Sequence, residues 1–294
     1  VESIKTFSHQ KGNNMVLLLD GIPLSNHHET ISLNEIYSHS PRLRESARRL
    51  TSRPPITVQP QGVIYVRQKG FSISFPGELL SDNTRAASIG TEDVLTCHVI
   101  VINYDRITAL GHFDEYVTPK ILDSFLGKFE DKVKRYFNEY QDYWDEGDWE
   151  WEEVDGDTDW NEEPEDDTNF NFQMNPISLR ILGGYSDEAG KAERLRKRIF
   201  TYFQSHSYRF NLDEMILGDM NTKNGMYRKE PIIGGICCDL KTGKLFNAAF
   251  SSRAFLNELS DKMVNTLLLG PSLIKKPNAL KRIILQKEDQ GYSI

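Results

Sequence analysis

The 294-residue chain is 38% hydrophobic and 27% charged, enough apolar material for a core without covalent staples. Three cysteines, Cys97, Cys237 and Cys238, the last two adjacent, exclude a disulfide framework and favour a reducing compartment. The apolar run from Met15 to Leu19 is closed by Asp20, too short for a signal sequence or a membrane span, and no later stretch does better, so a secreted or membrane-spanning protein is not expected.

Residues 1–14 are polar and aperiodic and read as a flexible N-terminal extension. A short strand and turn follow over 15–23. Over 30–53, Leu33, Ile36, Tyr37, Leu43, Ala47 and Leu50 recur near a 3.6-residue spacing, which predicts helix with a break at Pro41 and a stop at Pro54-Pro55. Residues 63–67 and 71–75 read as short strands with a Lys69-Gly70 turn between them. From 88 to 113 the pattern is β, and Val99 to Ile102 is apolar on both faces, as a strand covered on both sides would be. Asn103 to Arg106 is the turn, and 107–113 the returning strand.

A helix is predicted over 118–140, with Ile121, Leu122, Phe125, Leu126, Phe129, Val133 and Phe137 on one stripe. Strand character resumes over 177–183 and ends at Gly183-Gly184. A helix over 191–205 follows the acids Asp187 and Glu188, which suit its N-terminal dipole. Strands are predicted over 213–220, 231–239 and 245–251, and a last helix over 256–269. The class is α+β, a β-rich core with a few long helices.

Charge is unevenly distributed. Segment 142–167 holds 15 of the 43 acids, no Lys or Arg, and all four tryptophans, so the rest of the chain carries a net +7. Such charge density opposes folding, and 141–170 reads as a disordered acidic insertion or, alternatively, an acidic-aromatic element that docks on a basic face. The expected organisation is therefore the extension 1–14, a helix and strand part of a catalytic domain over 15–87, a Cys/His hairpin and helix over 88–140, the insertion 141–170, and the remainder of the domain over 171–294.

A cysteine nucleophile needs a base, and the base needs an orienting group. His98, adjacent to Cys97 on one strand, points to the other face. If the hairpin turns between Tyr104 and Asp105, Cys97 stands directly opposite His112, close enough for thiol and imidazole to meet. A buried core cysteine is the competing reading. Cys237 and Cys238 sit in an apolar run and read as core thiols. With no CxxC pair and no ligand spacing among His9, His27, His28, His39 and His206, no metal site is expected. No phosphate loop or nucleophile-elbow serine occurs, and the basic cluster from Lys191 to Arg198 alternates as a helix face, so nucleic acid is not an expected partner.

Several blocks then resemble the protein N-terminal asparagine amidohydrolase family. They are Leu17-Leu18-Leu19-Asp20-Gly21, Pro60-Gln61-Gly62-Val63-Ile64-Tyr65-Val66, the run from Gly90 to His98, Gly111-His112-Phe113-Asp114, the run from Leu182 to Asp187, and Pro231 to Ile236 with Lys241-Thr242-Gly243. They occur in the family's order. The acidic insertion and the region beyond Leu269 depart from it. The resemblance implies an α-β-β sandwich, Cys97 as nucleophile and His112 as base. A more distant likeness to the bacterial chemotaxis glutamine deamidases and related toxins, which carry a Thr six residues before the Cys, adds Thr91 as the third catalytic residue.

The implied activity is deamidation of an N-terminal asparagine to aspartate through a Cys97 thioester, with release of ammonia and without cofactor or metal. Implied substrates are proteins or peptides with a free N-terminal Asn. The implied setting is a cytoplasmic and nuclear monomer that acts in degradation by the N-terminal residue, with no membrane partner. Such an enzyme must bind an α-ammonium, for which Asp93, then Glu92 and Asp114, are the candidates; capping of turns is their alternative role. Gly183, Gly184 and Tyr185 are candidates for one wall of a short pocket. Two other readings stay open: another thiol-dependent deamidase acting on internal Gln or Asn, and a binding module that uses the acidic segment.

Overall fold

The structure, a computed structural model, describes residues 16–24, 32–140 and 176–250. The extension 1–14, the acidic insertion and the helix expected over 256–269 lie outside the described residues.

The apolar run at the start forms strand β1 (Val16–Leu19), which turns through Asp20-Gly21 into β2 (Ile22–Pro23). Both turn residues have positive φ, 51° and 79°, the twist that a two-residue hairpin loop requires. Asp20 also accepts hydrogen bonds from Ser40 and Arg42, and these hold its carboxyl below the usual carboxylate range. Ser40 is the hinge between helices α1 (Leu33–His39) and α2 (Pro41–Thr51), with Pro41 opening the second helix where no amide donor is needed. The Leu-Asp-Gly block therefore fastens the helical hairpin to the sheet.

Strands β3 (Ile56–Val58), β4 (Val63–Tyr65), β5 (Phe71–Ser74), β6 (Ser88–Glu92), β7 (His98–Tyr104) and β8 (Ile107–Phe113) follow, then helix α3 (Pro119–Tyr140). Beyond the insertion come β9 (Ile177–Tyr185), α4 (Lys191–Ser205), β10 (Arg209–Gly218), β11 (Thr222–Asn224), β12 (Lys229–Pro231), β13 (Gly235–Asp239) and β14 (Leu245–Phe250).

Two sheets stack. The larger has the order β2-β1-β10-β9-β7-β8-β5, and the smaller β3-β14-β13-β6-β4; β11 and β12 form a separate hairpin. Helices cover one face of the larger sheet. Phe125 of α3 packs edge-on against Phe71 of β5 and Phe113 of β8, and α4, the crossover between parallel strands β9 and β10, lies beside it. The smaller sheet covers the other face, and α2, packed on both β10 and β14, continues its layer. This is the α-β-β arrangement of an α+β protein. β7 sits in the middle of the sandwich, and Val99 to Ile102 are all buried.

The hairpin of β7 and β8 departs from the expected register. Tyr104 pairs with Ile107 and Val99 with His112, so the turn is Asp105-Arg106, with Asp105 at φ 51°. Aspartate tolerates that left-handed conformation, which a residue pattern alone does not locate. Cys97 therefore does not stand opposite His112. Continuing β7 by one residue sets it opposite Asp114, diagonal to His112. Because the partner shifts by two positions, each side chain keeps its face.

The strands on either side of Lys69-Gly70 also differ from a simple hairpin. β4 belongs to the smaller sheet and β5 to the larger, so the segment between them bridges the two. β3 and the β11–β12 hairpin carry no alternating pattern and become strands only through their partners.

Candidate active site

The chain leaves the smaller sheet after β6 and enters the larger one at β7, and Cys97 ends that crossing. Asp93 takes φ 60° at its start, and the Val94 amide donates to Gly234 across the gap. The Cys97 carbonyl accepts from the Gly184 amide at 2.9 Å, which extends the β7–β9 ladder and fixes the nucleophile's backbone. Cys97 itself is only 6% exposed.

His112 stands in β8 on the face turned to the smaller sheet, fully buried. From that sheet Thr91 of β6, also fully buried, places its hydroxyl 2.7 Å from His112 Nδ1. This hydrogen bond joins the two sheets at the site. It orients the imidazole and leaves Nε2 buried with no hydrogen-bond partner among the described residues. A buried, unpaired ring nitrogen is costly; His112 pairs with Val99, so strand alternation carried one step beyond β7 sets it on the side of Cys97.

The residue that touches the sulfur is one the sequence did not single out. Gln68 Nε2 lies 3.4 Å from Cys97 Sγ and 3.5 Å from Asp114 Oδ2. Asp114 is 8% exposed; it accepts from the Tyr116 amide and pairs with Lys69 Nζ at 3.3 Å. Among the carboxylates named from sequence, Asp114 lies beside the thiol. Glu92 accepts from the Tyr65 hydroxyl at 3.1 Å, and Asp93 occupies an exposed turn.

Burial pushes the Cys97 thiol up to about 11, with the Asp114 carboxylate adding to the rise and Lys69 opposing it. Burial holds His112 down at about 4. In a site this dry the neutral thiol and neutral imidazole are the resting pair, and the thiolate forms only as its proton leaves.

The glycine pair divides between two surroundings. Gly183, at φ 101°, backs directly onto the Cys97 carbonyl. Gly184 and Tyr185 line a separate cavity of about 710 Å³, shared with His98, Arg196 and residues of α1. His98 faces the helices, packed on Gly184, with Nδ1 buried and without a hydrogen-bond partner among the described residues, and burial holds it at about 3. Among the described residues, no group of three or more His, Cys, Asp and Glu is placed to hold a metal ion, and no helix is long and apolar enough to cross a membrane.

Two buried neutral histidines predict acid sensitivity. Each binds its proton near pH 6.5 when unfolded but only near 3 or 4 when folded. The stability they contribute is complete above about pH 6.5 and is lost as pH falls towards 4. Each should cost about 1–2 kcal/mol between pH 7 and 5. Urea unfolding at the two pH values measures this, and His98→Leu should remove about half of the slope. An unchanged slope in that variant would show that His98 does not carry it.

A protein-family model described as protein N-terminal asparagine amidohydrolase matches residues 53–141 and 166–266. Gln68, Thr91, Cys97, His112, Asp114 and Gly183 all lie inside the matched ranges. The chain is 22% identical over 248 residues to a Homo sapiens protein N-terminal asparagine amidohydrolase, covering 82% of this chain and 65% of that protein. It is also 22% identical over 261 residues to the Mus musculus protein of that name, covering 88% and 69%. The Sus scrofa protein matches at the same identity, again over 65% of its length. The chain thus spans about two thirds of the length of these relatives.

Proposed function

We propose, from the premise that the chain belongs to the protein N-terminal asparagine amidohydrolase family, that it hydrolyses the side-chain amide of an N-terminal asparagine to aspartate and ammonia. The observation that carries this reading is the Thr91–His112 hydrogen bond, which leaves one ring nitrogen of His112 without a partner among the described residues, on the side of the hairpin that carries the buried Cys97.

The steps follow from that arrangement. The mechanism uses the tautomer in which His112 Nδ1–H donates to Thr91 Oγ1 and Nε2 holds the lone pair. Nε2 takes the Cys97 proton as sulfur adds to the carboxamide carbon. The tetrahedral adduct collapses, and the imidazolium gives its proton to the departing nitrogen, which leaves as ammonia. Water, deprotonated by Nε2, then attacks the thioester, and the proton returns to sulfur as the thiol is released. What remains is an aspartate at the substrate's N-terminus.

Specificity has a length. The α-nitrogen of asparagine is three bonds from its carboxamide carbon, and glutamine adds one more methylene. Asp114 and the Cys97 sulfur sit within two hydrogen-bond lengths of each other, both reached from one Gln68 nitrogen. An ammonium held by Asp114 therefore brings an asparagine amide, rather than a glutamine amide, to the sulfur. A methylene misfit is worth about 1–3 kcal/mol in a yielding pocket and more in a rigid one. Cationic Lys69 already occupies the carboxylate, as a substrate ammonium would.

The test is ammonia release from Asn-leading, Gln-leading and Nα-acetylated Asn peptides. Only the first should react appreciably, and equal turnover of the acetylated peptide would refute N-terminal recognition in favour of internal deamidation. Asp114→Asn should raise KM for the free-amine peptide about 10-fold or more, the loss of one charge-assisted contact. No release from any of the three would leave a binding module. In the cell such an enzyme would act upstream of degradation by the N-terminal residue. The three unpaired thiols support a cytoplasmic and nuclear setting.

A further inference from the structure

Gln68 sits on the segment that bridges the two sheets, and its backbone is held at both sides of the site. The Val66 amide donates to Gly90, next to Thr91, at 2.7 Å. The Lys69 amide donates to the His112 carbonyl at 2.8 Å, and the His112 amide to the Gly70 carbonyl at 2.9 Å. The side chain that reaches Cys97 is therefore anchored to the main chain of the base itself. Its amide has two hydrogens, enough to serve Sγ and the Asp114 carboxylate together. The carboxylate also decides which end of the amide faces the sulfur, because an amide oxygen turned toward Asp114 would be repelled.

From this geometry, and resting on the amidohydrolase reading above, we infer that Gln68 is a catalytic residue that donates a hydrogen bond to the oxyanion formed when Cys97 adds to the substrate amide. In the adduct, the oxygen sits on the carbon bonded to Sγ, so a donor 3.4 Å from the sulfur is within reach of that oxygen. In the resting site the same N–H caps the sulfur. It moves from sulfur to oxygen as negative charge moves the same way, so the contact strengthens in the transition state rather than in the bound substrate.

Gln68→Ala and Gln68→Met, the second retaining length and bulk without a donor, separate this role from simple positioning of the thiol. Ammonia release from an Asn-leading peptide gives kcat and KM. Alkylation of Cys97 by iodoacetamide reports the nucleophile alone, since that displacement forms no oxyanion. The expected result is a kcat lowered roughly 10²–10³-fold in both variants, with KM changed less than a few-fold and alkylation rates near those of the wild type. A kcat close to wild type would overturn the assignment, as would alkylation falling in step with kcat. Wild-type protein that releases no ammonia would instead overturn the parent reading, and this assignment with it.

Discussion

Cys97→Ala is expected to lower ammonia release from an Asn-leading peptide by at least about 10⁴-fold while leaving the unfolding free energy in urea within about 1 kcal/mol of wild type. The activity loss follows from removing the atom that forms the thioester. The small stability change follows from the thiol's surroundings. Its recorded partner is a long Gln68 hydrogen bond, and the backbone contact to Gly184 survives the substitution. His112→Ala is a less clean probe, since it orphans the Thr91 hydroxyl in a fully buried position. It should abolish activity and also lower stability by a few kcal/mol. Because thiol and imidazole act as one unit, the double variant should be no slower than Cys97→Ala. Residual turnover in Cys97→Ala within 10-fold of wild type would remove the cysteine from the mechanism.

Gly183→Ala should damage fold and activity together. The position has φ 101°, which a residue with a side chain rarely adopts, and a Cβ there would come within 2.5 Å of both the Cys97 carbonyl oxygen and Val94 Cγ1. One obstacle is main chain and cannot rotate away. The variant should lose roughly 2–4 kcal/mol, seen as a melting temperature lowered by about 5–15 °C. Relief of the collision pushes the Cys97 backbone off the β7–β9 ladder, so kcat should fall beyond what the lost stability explains. Assaying well below the melting temperature separates the two effects. A variant with wild-type stability would mean that the glycine is not required by the close approach.

Legibility from the sequence followed the range of the physics involved. The helical stripe from Leu122 to Val133 was readable because its apolar spacing repeats over several turns, and α4 spans the predicted 191–205. The central β7 was readable because Val99 to Ile102 offer no polar face. The turn joining β7 to β8 was misplaced by one residue, since Asn103 to Arg106 contain two workable turns and only the backbone angle of Asp105 selects one. β3 and the β11–β12 hairpin were not read because short mixed segments become strands through their neighbours.

The candidate site divides in the same way. Residue parity put Cys97 and His112 on one face, and the family resemblance supplied Thr91, whose contact with His112 crosses from one sheet to the other. Gln68 gave no local signal. It looked like part of a loop beside a Lys69-Gly70 turn, and it reaches the sulfur because β4 and β5 go to different sheets.

The sequence by itself determined which faces are apolar, where the long helices run, and that a thiol and an imidazole share a side of one hairpin. These are properties of spacing within a few residues. Only the tertiary structure decided that Asp114 rather than Asp93 stands beside the thiol, that Gln68 touches it, and that burial keeps both thiol and imidazole uncharged at rest. Each of these depends on how two sheets close on one another and exclude water, and distances between segments far apart in the chain leave no trace in local pattern.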